Sequence, residues 1–135
     1  MSVGKASVAL CCVLSLEVVP ATSGAQLPDF LTELNAAREA VADEPAKSYY
    51  DGPFNKAFYA RFSDWLNLCT QQTGQTLADL DLVLTLDSQG RVSDLRSRPE
   101  SALTECFARQ VRKEQFPAPP TTGQKVPVSV RITKQ

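Results

Sequence analysis

The chain has 135 residues, of which 43% are apolar and 21% are charged, with 14 basic and 15 acidic side chains. This length accommodates one domain around one hydrophobic core, and the composition is typical of a folded protein rather than a disordered one. The net charge of −1 gives no broad positive potential of the kind that binds nucleic acid or an anionic membrane. We therefore expect neither of these as a partner.

The first 25 residues have the organisation of a cleavable secretory signal. Lys5 precedes an apolar run from Ala6 to Leu16, and the small residues Ser23-Gly24-Ala25 follow. We predict cleavage before Gln26, a periplasmic location, and a single domain over residues 26–135.

Two other functions of this segment are less consistent with its sequence. A membrane-spanning helix needs about 20 apolar residues, and Glu17 and Pro20 interrupt this run. A lipid-modified cysteine usually follows small residues, whereas Cys11 follows Leu10 and Cys12 follows Cys11. We therefore expect no stable membrane anchor.

The cysteines that remain after cleavage are Cys69 and Cys106. An even pair in an oxidising compartment predicts a disulfide, which would close a loop of about 38 residues and contribute roughly 4 kcal/mol. The alternative is two buried free thiols. Their spacing does not form the Cys-x-x-Cys motif of redox enzymes, so we predict a structural bridge.

Two helices are predicted in the first half of the domain. Apolar residues recur at helical spacing from Pro28 to Val41, and residues 46–53 form a turn-rich connector. The second helix runs from about Phe54 to Cys69. An aromatic and apolar set shares one of its faces, which favours burial in the core over a partner groove: Phe54, Phe58, Phe62, Trp65, Leu66 and Cys69.

The second half alternates strands with a helix. Leucines at every second position from Leu80 to Leu86 predict a strand with one buried face. Asp79 and Asp81 lie on its other face, which we expect to point to solvent. A turn at 87–90, with glycine at a positive φ, leads into a returning strand at 91–97. A third helix follows over 101–115, then the proline-rich connector 116–120, and then a strand over 125–133. The order α-α-β-β-α-β predicts an α+β fold, a small and mainly antiparallel sheet with helices on one face.

The stretch from Leu82 to Ile132 resembles the periplasmic C-terminal domain of the TonB and TolA energy transducers and the related AgmX/PglI group. The resemblance rests on a strand ending in Asp87-Ser88-Gln89-Gly90-Arg91-Val92, a helix with Cys106 and Val111, the segment Phe116-Pro117-Ala118-Pro119, and a closing valine-rich strand. It implies a module that binds another protein, often through an edge strand. Those transducers keep an uncleaved membrane helix and a long proline-rich spacer, and we expect this chain to have neither, so we do not expect force transduction.

The last strand is the predicted binding site. Pro127 cannot donate to a sheet ladder, which predicts an edge strand whose free backbone accepts a partner strand, with Lys125, Val128, Ser129 and Arg131 as its contact residues. The same proline, together with Lys125 and Lys134, is equally consistent with an edge that discourages pairing. Both interpretations remain open at this stage.

Catalysis is not predicted. The chain contains no histidine, the commonest general base and zinc ligand. Four aspartates could act as acid or base, but a solvated surface is their usual environment: Asp79, Asp81, Asp87 and Asp94. We expect no cofactor, no metal and no small-molecule substrate. The alternative to a binding module is a periplasmic inhibitor or immunity-type protein that blocks a secreted toxin or enzyme.

Overall fold

The computed structural model describes residues 29–132, so the predicted signal at residues 1–25 lies outside the described residues. The elements, in chain order, are α1 (Phe30–Ala40), α2 (Ala46–Tyr49), a π turn (Tyr50–Phe54), α3 (Asn55–Thr73), β1 (Leu80–Leu86), β2 (Val92–Arg98), α4 (Ala102–Arg112) and β3 (Gln124–Val130). The predicted α+β class and the order of helices and strands are confirmed.

The three strands form one antiparallel sheet in the order β2-β1-β3. β1 is therefore central, and β2 and β3 are the two edges. Leu84 of β1 lies opposite Leu95 on one side and Val126 on the other, which fixes the register of the apolar face. The predicted hairpin and the predicted edge position of the last strand are both confirmed.

The main core lies between the sheet and the pair α3 and α4. The leucines at even positions of β1 are at most 2% exposed, because they face the aromatic side of α3 and the apolar side of α4. Phe58, Trp65 and Phe107 meet there with ring centroids 5.4 to 6.3 Å apart. The aromatic face of α3 is thus core, as predicted, although Phe62 and Leu66 remain half-buried.

The opposite face of the sheet is also covered, so the prediction that β1 has a single buried face is wrong. α1 packs there through Leu34 and Ala37 against Val83, which is 1% exposed. The face that bears Val83 also bears Asp81, and that side chain is buried rather than solvent-facing. α3 and α4 share one face and α1 lies on the other, so the prediction that the helices lie on one face holds for α3 and α4 but not for α1.

The connector predicted at residues 46–53 is helical instead. α2 continues through the π turn into α3, and the ion pair between Lys47 and Asp51 at 2.8 Å supports its first turns. Tertiary packing overrides the turn signal at Asp51-Gly52-Pro53, because α2 and the π turn that continues it bury Tyr49 and Phe54. The hydroxyl of Tyr49 donates to the carbonyl of Pro117 at 2.7 Å, which attaches this turn to the proline-rich connector.

The turn between β1 and β2 is held by a close backbone approach. Gly90 has φ +81°, as its predicted role requires, and its carbonyl accepts a hydrogen bond from the amide of Phe116 at 2.9 Å. A Cβ at this position would lie 1.9 Å from the carbonyl oxygen of Phe116. Glycine is therefore required here both by its backbone angle and by the proximity of the connector.

The predicted disulfide between Cys69 and Cys106 is confirmed. It joins α3 to α4, and both residues are fully buried. The bridge is therefore part of the core and holds together the two helices that cover the main face of the sheet.

Candidate functional site

The sheet has two edges, and the register shows which backbone groups each one turns outward. In an antiparallel pair, hydrogen-bonded and non-bonded residue pairs alternate. Pro127 has no amide hydrogen, so its pair with Val83 is a non-bonded one, and the pair of Ser129 with Asp81 is another. The backbone groups of Lys125, Pro127 and Ser129 are therefore directed away from β1, toward the free edge of β3.

The same alternation assigns the outward groups of β2. Because even residues of β1 bond to β3, its odd residues bond to β2, and Leu95 and Ser97 turn their backbone groups outward. A terminal guanidinium nitrogen of Arg112, from α4, donates to the carbonyl of Leu95 at 3.2 Å. The middle of the β2 edge is thus occupied by a side chain of the same molecule.

The free edge of β3 is occupied only at its start. The side-chain amide of Gln124 donates to the carbonyl of Lys125 at 3.0 Å and to that of Ala40 at 3.4 Å. Among residues 29–132, no hydrogen bond outside the β1 ladder reaches the backbone of Pro127 or Ser129. Pro127 is buried, whereas Ser129 is exposed, so the unpaired backbone that solvent reaches on this half of the strand is that of Ser129.

An apolar cleft lies beside this half of β3, on the side of α3. It has a volume of about 420 Å³, and α3 contributes Tyr59 and Phe62 to it, while the strand and its extension contribute Val130 and Ile132. Tyr59 is 60% exposed and Ile132 is 40% exposed, so the cleft presents apolar surface to solvent. Leu77, Ser129 and Arg131 complete its wall.

The other face of the same region carries a buried carboxylate held by two arginines. Asp81 accepts hydrogen bonds from Arg98 at 2.9 Å and from Arg131 at 2.8 Å. Burial disfavours its ionised form, but hydrogen bonds from Ser129, Arg98 and Arg131 outweigh that effect, so the pKa of Asp81 is lowered. The Asp81 side chain is 6% exposed, whereas those of Arg98 and Arg131 are 41% and 49% exposed.

These contacts fix the end of β3 to the centre of the sheet. Arg131 also donates to the carbonyls of Leu80 and Val130, at 3.4 Å and 3.1 Å, and the amide of Ile132 donates to the Asp79 carboxylate at 2.7 Å. The guanidinium of Arg98 lies 4.9 Å from the ring centroid of Phe30 in α1. The edge next to Ser129 is therefore held rigidly from the β1 side.

The structure separates the four predicted contact residues into two sets. Lys125 and Ser129 lie on the face of β3 that is turned toward α1, Arg131 follows the strand and reaches Asp81 on that face, and Ser129 is exposed. Val128 points to the core and is 5% exposed, and by the alternation its backbone bonds to Leu82. Val128 therefore supports the strand, whereas Ser129 presents the free backbone.

Sequence reasoning missed two parts of this region. Tyr59 lies beside the aromatic face of α3 at the position after Phe58, and only the packing of α3 over β3 shows that it lines a cleft. Asp81 carries a usable signal, because a carboxylate inside the apolar run Leu80 to Leu86 requires a charged or hydrogen-bonding partner once it is buried.

The remaining candidate acids occupy structural positions. Asp87 accepts hydrogen bonds from the amides of Gln89 and Arg91, both at 2.9 Å, and so organises the hairpin turn. Asp94 is exposed on β2. Within the described range 29–132 no group of His, Cys, Asp and Glu side chains is arranged to hold a metal ion.

Comparisons with protein-family models, with curated proteins and with solved structures found no match to this chain. Over the part of the chain that the structure describes, no helix has the length and apolar character needed to cross a membrane.

Proposed function

We propose that this chain is a protein-binding module of the cell envelope, which pairs an extended segment of its partner with the free edge of β3. The observation that carries the proposal is the unpaired backbone at the exposed residue Ser129, next to an apolar cleft that is open to solvent. Backbone groups on a sheet edge supply affinity for an added strand, and neighbouring pockets supply selectivity for its side chains.

The rigidity of the edge supports the same function. Arg131 and Asp81 hold the strand end in one position, so a partner strand meets an ordered template and little ordering entropy is lost on binding. The cleft lies on the face to which every second side chain of an added strand would point. A short segment thus gains both backbone hydrogen bonds and apolar burial.

The resemblance to the TonB and TolA domains extends this proposal to the periplasm. It rests on the order of hairpin, helix, proline-rich connector and closing valine-rich strand. Under this proposal the chain acts as an adaptor in the envelope without catalysis and without force transduction of its own.

The test combines capture of a partner protein with hydrogen exchange at the Ser129 amide. The purified, oxidised protein is used as bait in a periplasmic extract, together with Ser129→Pro, which removes the outward amide, and Ser97→Pro, which makes the same change on the β2 edge. We expect Ser129→Pro alone to lose the captured protein. With that protein bound, hydrogen exchange at the Ser129 amide is expected to slow strongly.

Two results would contradict the proposal. Capture that survives Ser129→Pro, with unchanged exchange at Ser129, would remove the edge as the binding site. Recovery of a single secreted toxin or hydrolase whose activity falls on binding would instead identify an inhibitor.

A further inference from the structure

The accessible part of the β3 edge is residues 129–132, where Val130 is half-buried and the other residues are exposed. Ser129 turns its backbone N–H and C=O outward, and Arg131 follows it at the same alternation. Among residues 29–132, no hydrogen bond reaches the backbone of Arg131, and none from outside the β1 ladder reaches that of Ser129. Each residue therefore offers one donor and one acceptor, so this backbone is complementary to a second copy of itself.

The charge of this stretch is directed away from the free edge. Arg131 is the one charged residue in 129–132, and its guanidinium lies back over β1, where it donates to Asp81 at 2.8 Å and to the carbonyl of Leu80 at 3.4 Å. Lys125 lies at the opposite end of β3. Charged side chains on an edge, lysine above all, are a usual device that prevents two copies of a strand from pairing. Residues 129–132 do not use it.

An apolar surface borders the same stretch. Val130 and Ile132 line the cleft of about 420 Å³ that lies between the strand and Tyr59 of α3. Tyr59 is the most exposed large apolar side chain of the described residues, and Ile132 is partly exposed as well. Exposed apolar surface of this kind marks interaction sites, because covering it removes it from water.

One antiparallel register of two copies fits all of these features. A pairing centred on Val130 places Ser129 of each copy opposite Arg131 of the other, and each such pair exchanges both of its backbone hydrogen bonds. A centre on Ser129 would place Arg131 opposite Pro127, which is buried and has no amide hydrogen. A centre on Arg131 would place two arginines directly opposite each other, which destabilises a strand pair. The centre is therefore Val130.

We propose that two copies of this chain associate through residues 129–132, with a two-fold axis at Val130 that joins their sheets into one antiparallel sheet. The axis is perpendicular to the sheet, so α3 of each copy lies on the same side of it. Ile132 of one copy then lies opposite Val128 of the other, and the two clefts meet over the axis. Apolar side chains from each copy thus cover the cleft beside Tyr59 of the other.

Dimerisation goes beyond the proposed function, because it gives the edge an occupant while no partner strand is bound. A partner strand and a second copy both need the outward amide of Ser129, so each excludes the other. Only the monomer is competent to bind a partner, and the apparent affinity for that partner falls as the dimeric fraction rises. Partner binding is therefore expected to weaken at high concentrations of this protein.

The first test is sedimentation equilibrium of the purified, oxidised protein from about 10 µM to about 1 mM, because a short accessible edge gives a small interface. We expect a reversible equilibrium between monomer and dimer. Val130→Lys places two cations opposite each other at the axis and is expected to weaken dimerisation about tenfold. Val130→Thr, which adds no charge, is the matched control and is expected to retain it. Ser129→Pro is expected to weaken dimerisation, and Ser97→Pro on the β2 edge to leave it unchanged.

A cysteine at the axis tests the register. The Cα atoms of a non-bonded pair lie about 4.5 Å apart, which a disulfide can span. Val130→Cys is therefore expected to form a covalent dimer in a buffer of reduced and oxidised glutathione. Ile132→Cys, whose two copies would lie about 14 Å apart, is expected to stay monomeric on non-reducing gels. Cys11 and Cys12 are replaced with serine in both proteins, and circular dichroism confirms that each variant is folded.

The outcomes separate dimerisation from the proposed function. A protein that stays monomeric over the whole range would overturn the dimer and leave the proposed function intact, since capture of a partner needs one copy. Dimerisation that neither Val130→Lys nor Ser129→Pro weakens would also overturn it. A covalent dimer from Ile132→Cys and none from Val130→Cys would overturn the register. A dimer that Ser129→Pro abolishes, while the same variant still captures a partner protein, would support the dimer and contradict the proposed function.

Discussion

The two edge strands of the sheet differ in what their outward backbone groups contact. On β2 the carbonyl of Leu95 accepts a hydrogen bond from Arg112, because α4 packs along that strand and its last turn reaches over the edge. On β3, α1 packs along the strand and Pro127 is buried, but the exposed Ser129 has no such contact to its backbone among the described residues, and α3 places Tyr59 beside it. A small sheet can thus protect one edge with a long side chain and leave the other available to a partner.

Removing the disulfide is expected to lower the free energy of unfolding more than any other change proposed for the surroundings of the two edges. Replacing both Cys69 and Cys106 with alanine frees α3 from α4, and these two helices determine the surroundings of the two edges. We expect a loss of about 4 kcal/mol in the free energy of unfolding, because the unfolded chain regains the entropy of a long loop. Urea unfolding of the oxidised protein and the double variant measures it; a loss below about 1 kcal/mol would show that helix packing alone fixes the geometry.

Two proline substitutions at neighbouring positions in β3 test which residue bonds to β1 and which turns its backbone toward the free edge. Val128→Pro removes a ladder hydrogen bond and a buried side chain, and is expected to cost on the order of 3 kcal/mol. Ser129→Pro removes an amide that faces the free edge, and is expected to cost about 1 kcal/mol. Thermal unfolding of the two variants compares them directly, and equal destabilisation would mean that the alternation assigned to β3 is reversed.

Acid is expected to loosen the β3 edge through Asp81. Its pKa is lowered from the ordinary value of 3.8 in the folded state, so the stability contributed by its hydrogen bonds is complete above that value. This stability is lost as the pH falls from 3.8 through the lower, folded-state pKa. Asp81→Asn, which cannot ionise, should lose about 2 kcal/mol at neutral pH. It should also show a shallower decline below pH 3.8 in urea titrations at successive pH values.

The smallest loss of stability is expected at the β2 edge, where Arg112 bonds to the backbone. Arg112→Ala removes the hydrogen bond to Leu95 and is expected to cost about 1 kcal/mol. It also exposes the outward backbone of β2, so we expect faster exchange at nearby amides and weak self-association in analytical ultracentrifugation. Arg109→Ala, on the same helix, is the matched control. Identical behaviour of the two variants would show that Arg112 does not protect the edge.

The fold was predictable wherever a repeating pattern and a strong local signal agreed. Leucines at alternate positions of β1 and the glycine turn at Gly90 defined the hairpin, and the apolar face of α4 matched its buried residues Leu103, Phe107 and Val111. Residues 46–53 were predicted as a connector but are helical. Glycine and proline indicate a turn from the local sequence alone. The burial of Tyr49 and Phe54, which requires a helical turn there, depends on distant residues.

The candidate site was predictable only in part. Pro127 indicated an edge strand, and Lys125 and Ser129 share the face expected for them, on which Arg131 reaches Asp81. The cleft beside Tyr59 and the buried state of Asp81 could not be predicted, because both depend on which helices cover which face of the sheet. The periodicity of one strand does not report whether a helix lies over its second face.

The sequence by itself determined the class of fold, the hairpin and the edge position of β3, and it predicted the pairing of Cys69 with Cys106 once Cys11 and Cys12 were assigned to the predicted signal. These features follow from alternation, turn chemistry and the number of cysteines, all of which are local or arithmetic properties of the chain. Only the tertiary structure decided that α1 covers the second face, that Asp81 is held between two arginines, and that Arg112 closes one edge while Ser129 leaves the other open. Each of these depends on contacts between segments far apart in the chain, whose relative positions are set by burial of the whole core.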